Sequence, residues 1–558
     1  MRRNTVRNEG ARGRIGLLLV ACVAIFGVIS GRLVLLASAP AVAGAFYAGS
    51  PQDDVQAARP DIIDRNGEVL ATDLATASLY AEPRNIVDVD EAVELLTREL
   101  PELDPVKLRR DLSTDRGFIW LQREVSGLKR EAIHNLGIPG IGFLTETKRF
   151  YPGGSTVGHI VGHVNIDNAG IAGLEKTIDG GGLSALQSAG LARKGRDLSP
   201  VEVTIDLRVQ HAVRDELSRA IERYRALAAI GIILDAKTLE VVAMTSLPDY
   251  DPNEPAQALE DIRMNRAMAG VYEMGSVFKT FTLAMGLDTG AITPASQLDA
   301  RGKLQIGRHA IGDFHGKNRV LTAAEVFQYS SNIGSARIAL KVGAQRVEEY
   351  YRAFGFLDRL DTELPEAAKP LTPSRWPQIT LATTSFGHGI SVTPMHVAAA
   401  AAAVVNGGIY ANPTFYPRSE AEMMRIGRRV LSPQTSKQMR DLFYLNGNEG
   451  SGRSALVPGY NVGGKTGTAE KVVGGRYAEN KRFNSYLAAF PMDDPQYIVL
   501  VVIDEPKPEE GKHYATAGWN AAPTVANIIS RVGPMLHVEP RFPNDDAIER
   551  AITVAYQE

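Results

Sequence analysis

Three short motifs that carry nucleophilic and basic side chains occur in a fixed order along the chain. They are Ser276-Val277-Phe278-Lys279, Ser330-Ser331-Asn332 and Lys465-Thr466-Gly467-Thr468. A serine hydroxyl is a poor nucleophile at neutral pH unless a base removes its proton. A lysine three residues further along a helix lies on the same face, within reach of that hydroxyl. The first motif therefore predicts a serine nucleophile, Ser276, with Lys279 as its base.

The second and third motifs supply what this pair still lacks. Lys279 accepts a proton only when it is uncharged, and burial beside a second ammonium lowers the pKa of a lysine. Lys465 is the expected source of that ammonium. We expect Ser330 and Asn332 on a turn between helices, where they relay a proton or bind an amide.

The third motif is predicted to be a strand along which a substrate lies. Gly464 and Gly467 would let a substrate backbone approach closely. The backbone amides of Ser276 and Thr468 are expected to form an oxyanion hole, worth roughly 3–4 kcal/mol per donor in known cases.

A second Ser-x-x-Lys sequence, Ser126-Gly127-Leu128-Lys129, serves as an internal control. About one or two such matches are expected by chance in a chain of this length. This copy lies among charged residues, which favours a solvated face. Ser276 instead follows residues 273–275, which interrupt any regular element before it, and apolar residues with helical spacing come after it. The context therefore favours Ser276 as the reactive copy.

The elements around the motifs predict an antiparallel sheet with a helical insertion. Apolar residues between Val209 and Ile221 repeat with helical spacing. Strand-like runs lie at both ends of a long helical section, which favours one sheet that encloses it. The predicted strands are residues 203–206, 230–234, 241–245, 485–490 and 497–503.

The N-terminus predicts a membrane anchor. Residues 15–31 form an uncharged run of 17, and an apolar stretch continues to residue 37 after Arg32. Such a run is near the lower limit for a spanning helix, and the arginine-rich flank favours a cytoplasmic N-terminus. We expect a cytoplasmic tail at 1–14, a transmembrane helix at 15–37 and a linker at 38–57. A cleaved signal peptide is the alternative.

Composition excludes several other classes of protein. The 558 residues suggest three to four domains at about 150 residues each. Lys plus Arg total 61 against 64 Asp plus Glu, a balance that argues against a nucleic-acid partner. A single cysteine, Cys22, excludes an internal disulfide. No Cys/His cluster has metal-ligand spacing, so we expect neither a metal nor a cofactor.

Together the motifs resemble the active-site set of β-lactamases and penicillin-binding proteins, with Ser331 where that set has an aspartate. Nearly the whole chain resembles class B penicillin-binding proteins, the monofunctional peptidoglycan D,D-transpeptidases. Pro60 stands where the family usually has Gly, and Met274 where Pro usually precedes Gly-Ser. Further stretches that resemble the family are residues 59–67, 151–154, 170–175, 265–267 and 386–389.

The resemblance implies an α+β multidomain fold. After the anchor we expect an elongated α/β pedestal at 58–200, which resembles the dimerisation domain of the family and has no catalytic role. A transpeptidase domain of the penicillin-binding protein and β-lactamase type follows at 201–535, and a polar tail at 536–558.

The resemblance also assigns roles to the motif residues. Ser276 would attack the D-Ala–D-Ala bond of a stem peptide, with Lys279 as base. Ser330 would relay the proton to the leaving group, and Asn332 would bind a substrate amide. Lys465 and Thr466 would bind the terminal carboxylate, beside Gly467 and Thr468. β-Lactams would acylate the same serine.

Within this family the chain is most similar to the septal, cell-division type of Gram-negative bacteria, as residues 330–334 and 497–506 indicate. The resemblance implies a single-pass protein of the inner membrane with a periplasmic catalytic domain. Its implied partners are peptidoglycan stem peptides, β-lactam inhibitors, the membrane, a polytopic glycan polymerase and other division proteins.

Several alternatives remain open at this stage. They are an elongation-type transpeptidase of the same class, a membrane-anchored serine β-lactamase, a β-lactam sensor and a bifunctional enzyme with a glycosyltransferase domain. The chain length and the roughly 150 residues before the catalytic region argue against a β-lactamase. Only about 14 residues precede the predicted span, which leaves little room for a sensor output domain.

Overall fold

The computed structural model describes residues 59–180, 199–473, 476–511 and 514–542. The predicted cytoplasmic tail, membrane helix and linker lie outside these ranges, as does most of the predicted C-terminal tail. Within these ranges, no helix has both the length and the apolar character that a membrane span requires.

A 13-residue strand, β2, organises the first folded region, and three other strands pair with it. Strands β1, β3 and β4 are antiparallel to β2, whereas β5 pairs in parallel with β1. The first two helices pack on this sheet through buried leucines such as Leu96 and Leu108. The elements are β1 (Ile62–Ile63), β2 (Val69–Ala81), α1 (Val89–Glu99), α2 (Pro105–Leu112), β3 (Ile119–Val125), α3 (Gly127–His134), β4 (Ile141–Phe150), α4 (Gly158–Val161), α5 (Gly173–Gly180) and β5 (Val201–Glu202).

A buried ion-pair network closes the base of this region. Glu175 is fully buried and accepts from Arg59 at 2.8 Å and from Arg149 at 2.7 Å. Arg149 also contacts Asp73 at 3.1 Å, and Arg59 contacts Asp179 at 2.6 Å. Buried charges are tolerated only when each has a partner. The network therefore ties the chain before β1 to β2, β4 and α5.

The second region is built on a five-stranded antiparallel sheet of order β14-β15-β16-β6-β7. The predicted antiparallel sheet with a helical insertion is confirmed. The helices and strands of this second region, including the five strands of the sheet, are α6 (Leu207–Tyr224), β6 (Ala228–Asp235), β7 (Val241–Leu247), α7 (Lys279–Asp288), β8 (Gln297–Asp299), β9 (Leu304–Ile306), β10 (His309–Ile311), β11 (Val320–Thr322), α8 (Ala323–Gln328), α9 (Asn332–Val342), α10 (Ala344–Ala353), α11 (Gln378–Thr384), α12 (Pro394–Val405), β12 (Ile409–Tyr410), α13 (Glu420–Ile426), β13 (Arg428–Arg429), α14 (Pro433–Glu449), β14 (Gly463–Val473), β15 (Arg476–Phe490), β16 (Tyr497–Asp504) and α15 (Ala521–Met535).

Helices cover both faces of this sheet. On one face α6 and α15 pack together through residues such as Leu217 and Ile528. On the other face lies the helical section, in which every residue of α12 is buried. A sheet covered on both faces needs apolar side chains on both, and β16 is buried along its whole length. The sheet is therefore a rigid support for its edge strand, β14.

One predicted strand is wrong. Residues 203–206 are not a strand, because their backbone amides bond to separate parts of the chain: Val203 N to Ile63 O at 2.9 Å, Thr204 N to Phe415 O at 2.9 Å and Asp206 N to Val242 O at 3.0 Å. The Asp206 carboxylate caps α6, so the chain must already turn there. The other predicted strands are present, and β15 begins nine residues earlier than residue 485.

Replacing Glu175 by glutamine should destabilise the protein strongly, because two buried guanidinium groups lose their shared counter-charge. Removing one partner of a buried ion pair costs about 3–5 kcal/mol. Urea unfolding monitored by circular dichroism measures this loss. Glu102→Gln is the matched control, because Glu102 and its partner Lys129 are 44% and 42% exposed and such pairs contribute at most about 1 kcal/mol. Equal losses in both variants would contradict the prediction.

Candidate active site

The predicted nucleophile, Ser276, lies in a tight turn that leads directly into α7. Residues Gly275–Phe278 form a 3-10 turn, and α7 begins at Lys279. In this geometry residues three apart nearly eclipse each other. Lys279 Nζ lies 2.9 Å from Ser276 Oγ. The predicted pairing of these side chains is present, with a 3-10 turn at the helix start.

Ser330 lies between two lysines. Its hydroxyl oxygen is 3.0 Å from Lys279 Nζ and 3.1 Å from Lys465 Nζ. Its backbone carbonyl also accepts from Lys279 Nζ at 2.6 Å. As predicted, Ser330 lies on a turn between helices α8 and α9. Its φ of 57° is unfavourable for a side-chain-bearing residue, so these bonds help to hold the turn in place.

Both lysines are fully buried, and this burial controls their charge. Desolvation is the main cause that lowers the pKa of Lys279 far below its usual range, and the charge of Lys465 lowers it further. The negative charge of Asp313 opposes both effects. Burial lowers the pKa of Lys465 to about 7. The two causes that the sequence predicts, burial and the charge of Lys465, thus favour the neutral form of Lys279 that a base requires.

The third motif forms the start of β14, at the edge of the sheet. Thr466 Oγ1 lies 2.7 Å from Ser451 Oγ, and Thr468 Oγ1 accepts from the Ala517 amide at 3.3 Å. A Cβ on Gly467 would overlap the Ser485 hydroxyl and would lie 2.7 Å from the Met274 carbonyl oxygen. The space beside this glycine is therefore filled by β15 and by the residues around Ser276, whereas the sequence suggested a substrate backbone.

A second glycine contact clamps the same turn from its other side. Gly387 has φ of +79°, and a Cβ there would overlap the backbone of Gly275. Gly275 has φ of +56°, and a Cβ on it would lie 2.9 Å from the Thr468 carbonyl oxygen. The Ser276 turn is thus packed backbone to backbone between β14 and the segment that contains Gly387.

These elements line one groove of about 930 Å³. Five of the predicted site residues line it, and Lys279, Lys465 and Gly467 lie behind its wall. Among the residues that the structure describes, no group of three or more His, Cys, Asp or Glu side chains is placed to hold a metal ion. The five lining residues are Ser276, Ser330, Asn332, Thr466 and Thr468.

Sequence reasoning missed three residues that belong to this site. Ser451 contacts Thr466, His388 lines the groove, and Asp313 accepts from the Ser331 hydroxyl at 2.7 Å. His388 lies within residues 386–389, a stretch typical of the family, so the sequence could have indicated it. Ser451 and Asp313 lie in loops without a motif, and only the fold brings them to the site.

The control sequence has a purely structural role. Ser126 caps α3 by accepting from the Lys129 amide at 3.4 Å. Lys129 Nζ pairs with Glu102 at 2.7 Å on the surface. This lysine is solvated and paired with an acid, so it lacks the conditions that make Lys279 a base.

Comparison with known proteins agrees with this geometry. Residues 229–530 match the family model "Penicillin binding protein transpeptidase domain", and residues 54–181 match "Penicillin-binding Protein dimerisation domain". The chain is 41% identical over 505 residues to a probable peptidoglycan D,D-transpeptidase FtsI of Caulobacter vibrioides, with 88% of this chain and 83% of that protein covered. It is 30% identical to the Escherichia coli K12 peptidoglycan D,D-transpeptidase FtsI, with 87% and 85% covered.

Solved structures show the same architecture. Penicillin binding protein 3 from Mycobacterium tuberculosis, complexed with aztreonam, aligns with a TM-score of 0.66 at 24% identity and covers 88% of this chain and 98% of that one. The transpeptidase domain of Burkholderia pseudomallei penicillin-binding protein 3 aligns with a TM-score of 0.54 at 31% identity, over 61% of this chain and 97% of that domain.

The fold and the site define an acyltransferase in which a serine hydroxyl lies beside a buried lysine. The chain belongs to the penicillin-binding protein transpeptidase family, within its FtsI-type peptidoglycan D,D-transpeptidases. The family resemblance drawn from the sequence is confirmed, as are the enzyme class and the two-domain arrangement of dimerisation and transpeptidase domains.

Replacing Lys465 by glutamine should move the acidic limb of the pH–rate profile of acylation to higher pH. The variant removes an ammonium that lowers the pKa of Lys279, so Lys279 keeps its proton up to a higher pH. A nearby charge shifts a pKa by about 1 unit or more. Stopped-flow acylation by a fluorescent penicillin across pH measures the shift. Lys481→Gln, which removes an exposed charge on β15, should leave the limb in place, and a limb that stays fixed in both variants would contradict the prediction.

Replacing Gly387 by alanine should slow acylation about 10²-fold, because a displacement of about 1 Å at the reacting group costs that much. The new Cβ would push on Gly275, next to the nucleophile. Gly290→Ala is the control: its φ of +69° gives similar backbone strain, but nothing lies within 4 Å of its Cβ position. Similar acylation rates in the two variants would show that the clamp is not needed.

Proposed function

We propose that this chain cross-links peptidoglycan stem peptides through an acyl-enzyme formed on Ser276. The observation that carries the proposal is the arrangement of two buried lysines around the Ser330 hydroxyl, with Ser276 bonded to one of them. The family acts on peptidoglycan and binds β-lactams, and this arrangement supplies the base and the proton path that acyl transfer needs.

In the first step the Ser276 oxygen attacks the carbonyl carbon of the penultimate D-Ala, and its proton passes to neutral Lys279. The oxyanion is stabilised by the backbone amides of Ser276 and Thr468. When the intermediate collapses, the C–N bond breaks and the terminal D-Ala leaves as an amine. Lys279 returns the proton to that amine through the Ser330 hydroxyl, which lies 3.0 Å away.

In the second step an amine from a neighbouring stem peptide attacks the acyl-enzyme. Lys279 accepts a proton from that amine, the C–O bond to Ser276 breaks, and the Ser276 oxygen regains its proton. A new amide bond joins the two peptides. The same residues therefore serve both half-reactions, with the direction of proton transfer reversed.

The remaining predicted site residues bind the donor peptide. The terminal carboxylate lies against Thr466 in the groove and is attracted by the charge of Lys465 behind the wall, with Ser451 next to the threonine hydroxyl. Asn332 lines the groove and binds a substrate amide. Gly467 and Thr468 lie on β14, the edge strand of the sheet, and an extended peptide pairs along that edge.

The organisation of the whole chain follows from the same proposal. Residues 15–37 anchor the protein in the inner membrane, with residues 1–14 in the cytoplasm. After the linker at 38–57, residues 58–200 form the pedestal and 201–535 the periplasmic transpeptidase domain, before a tail at 536–558. The proposed role is septal synthesis beside a polytopic glycan polymerase and other division proteins, and the similarity to FtsI proteins supports it.

Replacing Ser276 by alanine should abolish covalent labelling by a fluorescent penicillin, whereas Ser126→Ala should leave labelling intact. Of these two serines, Ser276 has a buried lysine beside its hydroxyl, whereas the lysine of the Ser126 motif is exposed and pairs with Glu102. Gel fluorescence after denaturation measures the adduct.

Persistent labelling of the Ser276 variant would overturn the assignment of the nucleophile. The lifetime of the wild-type adduct separates the reaction classes. A transpeptidase should hold it far longer than the seconds that a β-lactamase needs, so release within seconds would contradict the proposed function.

A further inference from the structure

The acceptor amine loses two protons during cross-linking, and the path through Lys279 carries only one of them. An alkylamine is an ammonium at neutral pH, because its pKa is about 10.4. The amide nitrogen formed from it keeps a single proton. Of the two protons lost, one returns to the Ser276 oxygen through Lys279. The other must leave before the attack, since an ammonium has no lone pair with which to form a bond.

His388 is placed to accept that first proton. It lies in the segment after α11 and lines the same groove as Ser276. The residue before it, Gly387, packs so closely on Gly275 that a Cβ there would overlap the Gly275 backbone. Gly275 in turn directly precedes Ser276. The imidazole and the serine hydroxyl are therefore carried by two backbone segments in direct contact.

The imidazole ring of His388 is held by several neighbours. It stacks on Tyr477 of β15 with ring centroids 5.5 Å apart, and Phe386 meets it edge-on at 5.3 Å. The Tyr477 hydroxyl donates to the Glu273 carboxylate at 3.1 Å, and the Gly389 amide donates to the same carboxylate at 2.7 Å. Glu273 thus fixes both the ring that stacks on His388 and the chain beside it.

Charged groups from three other segments surround this histidine. Burial is the main cause that lowers the pKa of His388; Glu273, before the Ser276 turn, raises it, Lys279 of α7 lowers it, and Glu470 of β14 raises it. The net shift is downward and favours the uncharged imidazole, which is the form that accepts a proton. Glu470 also lines the groove, so a carboxylate is available there to attract an ammonium.

We infer that His388 is the proton acceptor for the incoming amine and that Glu470 binds the ammonium beside it. This inference rests on the proposed function, because it concerns the acceptor half of the same transfer. The ammonium gives one proton to an imidazole nitrogen, and the freed lone pair forms the new C–N bond. The second proton passes to Lys279 and on to the Ser276 oxygen as the C–O bond breaks. His388 then releases its proton to bulk water.

The test compares two fates of one acyl-enzyme in His388→Gln. The full chain is acylated by a thioester of N-benzoyl-D-alanine with D-alanine as the acceptor, and chromatography measures the dipeptide product against the hydrolysis product. Both products come from the same intermediate, so damage to Ser276 or Lys279 affects both. At pH 7 we expect the ratio of transfer to hydrolysis to fall about 10²-fold, the low end of general acid–base catalysis.

The pH dependence of this ratio separates proton transfer from a structural role. In the wild type the ratio should be nearly level between pH 7 and pH 8.5, because the ammonium is deprotonated on the enzyme. In His388→Gln only free amine reacts, so the ratio should rise about tenfold per pH unit. Glu470→Gln should raise the amine concentration that half-saturates transfer more than it lowers the saturated ratio. His211→Gln, on the exposed side of α6, is the control and should keep the wild-type profile.

Several outcomes would overturn the inference. One is a level profile in His388→Gln, and another is a steep rise with pH in the wild type itself. A third is a steep profile in His315→Gln with a level one in His388→Gln, since His315 also lines the groove. A wild-type acyl-enzyme that is hydrolysed but transfers to no amine at any pH would instead overturn the proposed function, and this inference with it.

Discussion

Two buried amines share one hydroxyl, and most of the structure around the groove serves to keep them there. Lys279 and Lys465 are both fully buried, so two full charges at this distance would be very costly. The cost is avoided if at most one of the two amines is protonated to an ammonium. Burial and the proximity of the second amine thus both lower the pKa of Lys279 and favour its neutral form. A serine and a lysine at the surface, as at Ser126, have the same spacing and no such chemistry.

Rigid backbone contacts keep this arrangement in register. The Ser276 turn fits between Gly387 and the edge strand β14, and a Cβ at Gly387 or at Gly275 would press on the backbone of the neighbouring segment. Behind β14 the sheet is covered on both faces, so the strand has little freedom to move away. Tight packing of this kind explains how a site built from three distant segments keeps hydrogen-bond distances of about 3 Å.

The sequence predicted the parts of this site that depend on local spacing. Ser276 and Lys279 were found because a turn and a helical pattern place them together, and the third motif was expected on a strand, which is β14. Asp313 was missed because its contact with Ser331 exists only after two hairpins fold. The strand expected at residues 203–206 is absent for a related reason. These residues favour β-structure by type, but their backbone amides bond to three separate segments of the chain. Local periodicity carries no information about such long-range contacts.

The order of strands in the central sheet has a consequence for how the protein is made. Strand β6 pairs with β16 along its whole length, although β16 is translated about 260 residues later. Until then β6 and β7 have only each other, and a lone hairpin is marginally stable in water. The catalytic domain therefore completes its core only once nearly the entire chain has emerged, which is slow folding of the non-local type. Loss of the chain from Tyr497 onward would remove β16, the middle strand of the sheet, rather than a strand at its rim.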